Sequence, residues 1–86
     1  MYEVRFSKQF EKSLRKIPKQ YHLKVKEVTA KLESNPFSLD IKKLEPGFKA
    51  SHRLRIGNYR IFLFVNTKTK IIEASNIKRR TSQTYS

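Results

Sequence analysis

The segment His52-Arg53-Leu54-Arg55-Ile56-Gly57-Asn58-Tyr59-Arg60-Ile61-Phe62-Leu63-Phe64-Val65 carries the clearest structural signal in the chain. Two alternating runs flank Gly57-Asn58, and a two-residue loop of that composition joins antiparallel strands in a tight hairpin. Strands are expected at about 48–56 and 59–65. The short loop fixes the register. Ile56 then faces Tyr59, Leu54 faces Ile61, His52 faces Leu63 and Ala50 faces Val65. With Phe48, these positions form one largely apolar face that should meet helices. The other face carries Lys49, Ser51, Arg53 and Arg55, with Arg60, Phe62 and Phe64 across from them. Arg55 falls directly opposite Arg60, and Arg53 opposite Phe62. Like charges placed directly across a strand pair are destabilising. A phosphate held between Arg55 and Arg60 is the simplest reason for such a pair. Phe62 and Phe64 offer flat surfaces to bases, each worth about 1–3 kcal/mol in single-strand binders. The same pattern also fits a solvent-facing sheet whose arginine stems cover the two rings.

Upstream, Tyr2, Val4 and Phe6 alternate with Glu3 and Arg5 as a first strand. Ser7 stands where a helix N-cap belongs, and Phe10, Leu14 and Ile17 follow at helical spacing. Pro18 breaks that helix and suits the first turn of the next. Tyr21, Val25, Val28 and Leu32 mark the buried stripe of the second helix, which Asn35-Pro36 ends. The short break implies an antiparallel helical hairpin. Residues 37–47 form a connector pinned by Leu39, Ile41 and Leu44, with a turn at Glu45-Pro46-Gly47. Downstream, the polar turn Asn66-Thr67-Lys68-Thr69 leads to a third alternating run, Lys70 to Ile77, and then a basic tail to Ser86. If Val65 pairs with Lys70, then Ile71, Glu73, Ser75, Ile77 and Arg79 share the arginine face. Glu73 is then its one nearby counter-charge. The order predicts a single α+β domain over 1–86: an N-terminal strand, a two-helix hairpin and a three-stranded antiparallel meander. Both helices pack on one face of a twisted four-stranded sheet.

The chain has 86 residues and no cysteine, with 20 lysines and arginines against 7 acids and a net charge of +13. A domain of this size buries only roughly 60–65% of its unfolded surface, which excludes a large cofactor fold. Without cysteine there is no disulfide framework, thiolate metal site or thiol nucleophile. No apolar run approaches the roughly 20 residues of a membrane span, and the first residues lack a signal-peptide core. A cytoplasmic protein is expected, with no membrane partner. The charge draws polyanions such as nucleic acid or an acidic protein. It is distributed unevenly: all of Arg53, Arg55, Arg60, Arg79 and Arg80 lie in the second half. Arginine's planar fork grips phosphate at two points and stacks on bases.

Metal chemistry needs clustered carboxylates or histidines, whereas the acids here are scattered and only His22 and His52 exist. His22 occupies an exposed-looking helix position. His52, on the apolar hairpin face, reads as a satisfied core histidine rather than a base. Gly47 and Gly57 cannot build a phosphate loop, and no Ser-His-acid set is suggested. No cofactor or metal is expected. What remains is chemistry by arginine, lysine and tyrosine. RNA cleavage can use the substrate's own 2′-hydroxyl, leaving the protein to position it, stabilise charge on the phosphate and move protons. Tyr85 could move a proton if nearby cations lower its pKa from about 10. Simple RNA binding would explain the same basic patch.

The chain resembles the RelE-type toxins of toxin–antitoxin pairs, within the RelE/ParE superfamily. Tyr2 to Phe6 followed by Ser7, the two basic helices, Asn35-Pro36, Lys42-Lys43-Leu44 and His52 to Ile61 match that family in order and spacing. Lys78-Arg79-Arg80 with Tyr85 resembles its C-terminal motif. The resemblance implies a ribosome-dependent, metal-independent endonuclease that cuts messenger RNA in the A site and leaves a 2′,3′-cyclic phosphate. It also implies an acidic-tailed antitoxin that wraps the toxin and, as a complex, represses the shared operon. Carried over residue by residue, the catalytic set is Arg60, Arg79, Tyr85 and Arg53. Arg55, Lys49, Lys78, Arg80, Phe62 and Phe64 are the candidate RNA- and phosphate-binding residues. Two lysines typical of RelE on the strand before the hairpin are Ser51 and Arg53 here, which makes Tyr85 the proton acceptor by default. Two other readings stay open: a ParE-like, non-enzymatic inhibitor of DNA gyrase, and an inactive RNA- or antitoxin-binding relic.

Overall fold

A computed structural model describes residues 1–47 and 50–79. Its organising element is the hairpin of β3 (His52–Ile56) and β4 (Tyr59–Asn66). Ile56 pairs with Tyr59, Arg55 with Arg60, Leu54 with Ile61, Arg53 with Phe62 and His52 with Leu63, the register that the two-residue loop dictates. In that loop Gly57 takes φ +54° and Asn58 stays at negative φ, which is the pattern of a type II′ turn. A Cβ on Gly57 would also stand 3.3 Å from Cε1 of Tyr21. We expect Gly57→Ala to cost about 1–2 kcal/mol from the left-handed backbone alone, read as a lower urea midpoint at unchanged slope.

The remaining strands are β1 (Glu3–Phe6), β2 (Ile41–Lys43) and β5 (Ile71–Arg79). They complete one five-stranded sheet in the order β1-β5-β4-β3-β2, with β1 parallel to β5 and every other pair antiparallel. The α+β class is as the pattern predicts, but the sheet has five strands rather than four. The extra strand comes from the connector. Asn35 caps both the preceding helix and the short 3-10 turn Pro36–Ser38, its side chain accepting from the Phe37 amide. The chain then runs straight enough for Ile41–Lys43 to join the edge of β3. β3 in turn starts at His52, later than the expected 48; Phe48 and Lys49 lie outside the described residues.

Helix α1 (Lys8–Arg15) starts at Ser7, whose hydroxyl accepts from the Phe10 amide at 3.0 Å and donates to the Ser75 carbonyl at 2.7 Å. Helix α2 (Lys19–Ser34) begins after Pro18. Phe10, Ile17, Val25, Val28 and Leu32 from the helical side meet Leu54, Ile56, Ile61, Leu63, Ile72, Ala74 and Ile77 from the sheet. His22 is not on an open face. It is half-buried, and its Nε2–H points at the carbonyls of Leu14 and Ile17, 2.8 and 2.9 Å away. The Leu14 carbonyl also accepts from the Ile17 amide at 3.1 Å, so the ring closes onto the turn that links the two helices. No helix among the described residues is long and apolar enough to cross a membrane.

The last strand departs from expectation in one consequential way. Val65 pairs with Ile72 instead of Lys70, because Asn66 stays in β4 and its side chain accepts from the amides of Lys68 and Thr69. Lys70 then takes a left-handed φ of 60°. A two-residue shift preserves faces, so Glu73 still lies on the arginine side, opposite Phe64. The register then slips between Leu63–Ala74 and Phe62–Asn76. Ser75 is the extra residue of a bulge, with its hydroxyl donating to the Phe62 carbonyl. Past the bulge the faces exchange. Ile77 is buried at 3% exposure instead of facing solvent with the arginines. Lys78 pairs with Arg60, while Arg79, expected on the arginine face, pairs with Tyr59 on the other.

Candidate nucleic-acid interface

Opposite the helices, the sheet register composes rows of side chains that run across the strands. One row is Arg55 on β3, Arg60 on β4 and Lys78 on β5. The adjacent row is Lys42 on β2, Arg53 on β3 and Phe62 on β4. A third row sets Phe64 beside Glu73, which pairs in turn with Arg5 of β1. Three cross-strand pairs are therefore like-charged: Lys42–Arg53, Arg55–Arg60 and Arg60–Lys78. Each such pair opposes folding unless an anion or water screens it. The negative charge of this face sits at its far end, where Arg5 bridges to Glu3.

Arg53 and Arg60 are 9% and 7% exposed, so the alternative of a wholly solvent-facing arginine face does not hold for these two. They occupy interior strands of a five-stranded sheet, flanked on each side. Arg55 and Lys78 remain exposed, Phe62 is half-buried and Phe64 is 44% exposed. Nε of Arg55 lies 4.0 Å from an Asp40 carboxylate oxygen, and the Arg55 amide donates to the Asp40 carbonyl. An exposed ion pair at that distance contributes little stability and leaves Arg55 free to exchange Asp40 for a stronger anion. Lys49, Arg80 and Tyr85 lie outside the described residues. The structure thus brings together Arg53, Arg55, Arg60, Lys78, Phe62 and Phe64, and turns Arg79 toward Tyr59. Sequence reasoning did not place Lys42 or Asp40 here. Both depend on β2, whose three residues are too few for alternation to show.

Ser51, at a lysine position of the resembled family, has its hydroxyl engaged at the start of β3. It accepts from the Val65 amide at 2.8 Å and approaches the Leu63 carbonyl and Nδ1 of His52 at 3.2 and 2.9 Å. His52 packs edge-to-face with Phe37. Burial first, and the Lys43 charge second, push its pKa below the ordinary 6.5. In the window between the folded pKa and 6.5 the unfolded chain binds the proton and the folded chain does not. His52 thus contributes stability in full above pH 6.5 and loses it as pH falls through the folded value. We expect His52→Gln to flatten the acid limb of a stability–pH curve measured from pH 7.5 downward. Among the described residues no group of three or more histidine, cysteine or carboxylate side chains could hold a metal ion.

The same order of elements recurs in known proteins. Residues 4–83 match the family model described as the ParE toxin of type II toxin–antitoxin systems, parDE. Toxin RelE3 of Methanocaldococcus jannaschii is 36% identical over 73 residues, covering 80% of this chain and 82% of that protein. The toxin fold in the archaeal RelE–RelB complex of Pyrococcus horikoshii superposes with a TM-score of 0.80 at 34% identity, over 94% of this chain and 97% of that one. The RelB–RelE antitoxin–toxin complex of Methanococcus jannaschii gives 0.71 at 31% identity, over 88% and 90%. With the family pattern matched from the first strand into the C-terminal tail, and with relatives above 30% identity over most of its length, the chain belongs to the RelE/ParE family of type II toxins.

Proposed function

We propose that this toxin is a ribosome-dependent endonuclease that cuts messenger RNA at the A-site codon. The observation that carries the reading is the row Arg55–Arg60–Lys78, three cations placed directly beside one another, flanked by Arg53 and two aromatic rings. The 2′-oxygen of the substrate attacks the adjacent phosphorus, the P–O5′ bond breaks, and a 2′,3′-cyclic phosphate remains on the upstream product. Negative charge grows on the phosphoryl oxygens during attack, and preformed guanidinium groups answer it without reorganising. Phe64, and Phe62 at its edge, stack the bases on either side. By family resemblance, Tyr85, as its phenolate, takes the 2′-proton, and the leaving 5′-oxygen takes a proton from water; Arg79, the other residue of that resemblance, lies beside Tyr59 rather than in the Arg55–Arg60–Lys78 row. Lys49, Arg80 and Lys78 hold flanking phosphates. No metal takes part.

The structural relatives are complexes with RelB antitoxins, and the net charge of +13 suits a cognate antitoxin with an acidic, amphipathic contact segment. Operator DNA is then reached only through that complex, in the cytoplasm. The family model's description as a ParE toxin favours one alternative, non-enzymatic inhibition of DNA gyrase. Primer extension on a defined messenger RNA in a purified translation system separates the two. Ribosome-dependent cuts at A-site codons that vanish in Arg55→Ala establish the nuclease. Intact RNA, together with inhibited supercoiling by gyrase, establishes the alternative.

A further inference from the structure

We infer that Lys42, brought into the sheet by β2, holds a second phosphate of the RNA strand, next to the phosphate gripped by Arg55 and Arg60. The inference rests on the reading of this face as an RNA site. Three observations carry it. First, Lys42 pairs directly with Arg53, a like-charge pair separate from Arg55–Arg60. One anion over the Arg55 row does not screen it, because the two rows lie two residues apart, about 6.8 Å along a strand. Successive phosphates of an extended single strand can match such a step.

Second, β2 is fixed at both ends. The Arg55 amide donates to the Asp40 carbonyl at 3.2 Å, and the Leu44 amide donates to the Ser51 carbonyl at 2.9 Å. The Lys42 backbone is thereby held in register although the strand has only three residues. Third, the alternation of a strand separates the two neighbouring lysines. Lys42 shares the face of Arg53, whereas Lys43 pairs with His52 and shares the helix-side face. Both are exposed, so Lys43 provides a control of equal charge and nearly equal position. A lysine suits this role, because a flexible ammonium follows a flanking phosphate as a point charge while the arginines fix the reacting one.

The test uses a short 2′-O-methyl oligoribonucleotide, which cannot be cleaved by 2′-attack, and the full chain. Its affinity is measured across a salt series. Each phosphate contact on a single strand contributes roughly −0.7 to the slope of log K against log salt. Lys42→Ala is expected to make the slope shallower by about 0.7, Lys42→Arg to restore it, and Lys43→Ala to leave it as in the wild type. Equal changes in Lys42→Ala and Lys43→Ala, no change in either, or no binding of the oligonucleotide by the wild-type protein would each overturn the inference. In the translation system, Lys42→Ala should raise KM several-fold at unchanged kcat. Absence of cleavage by the wild type there counts against the nuclease reading, while the salt slope judges Lys42 by itself.

Discussion

Arg60→Met is expected to reduce messenger-RNA cleavage per folded molecule by about 10²–10³-fold, the usual cost of removing one preorganised donor to a developing oxyanion. Arg60 is 7% exposed and stands between Arg55 and Lys78 on neighbouring strands. Methionine keeps an unbranched stem of similar length at this position and removes the charge. The two cross-strand repulsions end with it, each worth some tenths of a kcal/mol up to about 1. A buried arginine kept for structure behaves in the opposite way, since removing a needed partner from a buried pair costs about 3–5 kcal/mol. Cleavage in the purified translation system and the urea midpoint are therefore read on the same preparation. Lost activity with an unchanged or raised midpoint assigns Arg60 to the RNA. An unfolding free energy lowered by about 3–5 kcal/mol would assign it to the scaffold and remove the main support for the catalytic row.

How far the fold could be read from sequence depends on how tightly each element constrains its own register. Gly57-Asn58 leaves one pairing for the hairpin, so the Arg55–Arg60 contact was legible residue by residue. The helices were legible because Phe10, Val25, Val28 and Leu32 repeat at helical spacing and Ser7 and Pro18 punctuate them. The β5 bulge was not legible, although it left a trace: buried positions step by two from Ile72 to Ala74, then by three to Ile77. That step means a bulge only once the face of Ile72 is known, and the four-residue turn before β5 does not fix it. The consequence falls on the site itself, since the bulge puts Lys78 rather than Ile77 opposite Arg60 and moves Arg79 to the other face. β2 was illegible for another reason. Three residues give no measurable period, and the strand exists because the Asn35 cap and the short 3-10 turn aim the chain along an available edge. Burial of Arg53 follows from the same omission, because a sheet without β2 leaves β3 at its edge.

Phe10→Ala should cost about 3–5 kcal/mol, as removal of a buried phenylalanine ring does, and this against a total that for domains of this kind is about 5–15 kcal/mol. Phe10 is 1% exposed and anchors α1, an eight-residue helix too short to persist without tertiary packing. What α1 covers explains why the loss would spread. β1 ends at Phe6 opposite Ala74, so from Ser75 onward β5 has no strand on that side. Residues of α1 and its cap close the gap. The Ser7 hydroxyl donates to the Ser75 carbonyl, and the Ser13 hydroxyl donates to Oδ1 of Asn76, which also accepts from the Ile77 amide. Those bonds hold the bulged half of β5, and through it the position of Lys78. The space beside the ring, about 290 Å³ lined by Phe6, Leu14 and Val25 among others, is already open to solvent. Little is left there to collapse into the cavity. The predicted outcome is a large drop in urea midpoint and in the yield of folded toxin. Cleavage per folded molecule falls far less than in Arg60→Met, because the hairpin register does not depend on α1. An unfolding free energy within about 1 kcal/mol of wild type would show that β5 keeps its bulge without the helix, and that the seal by Ser7 and Ser13 is a consequence of the sheet rather than one of its causes.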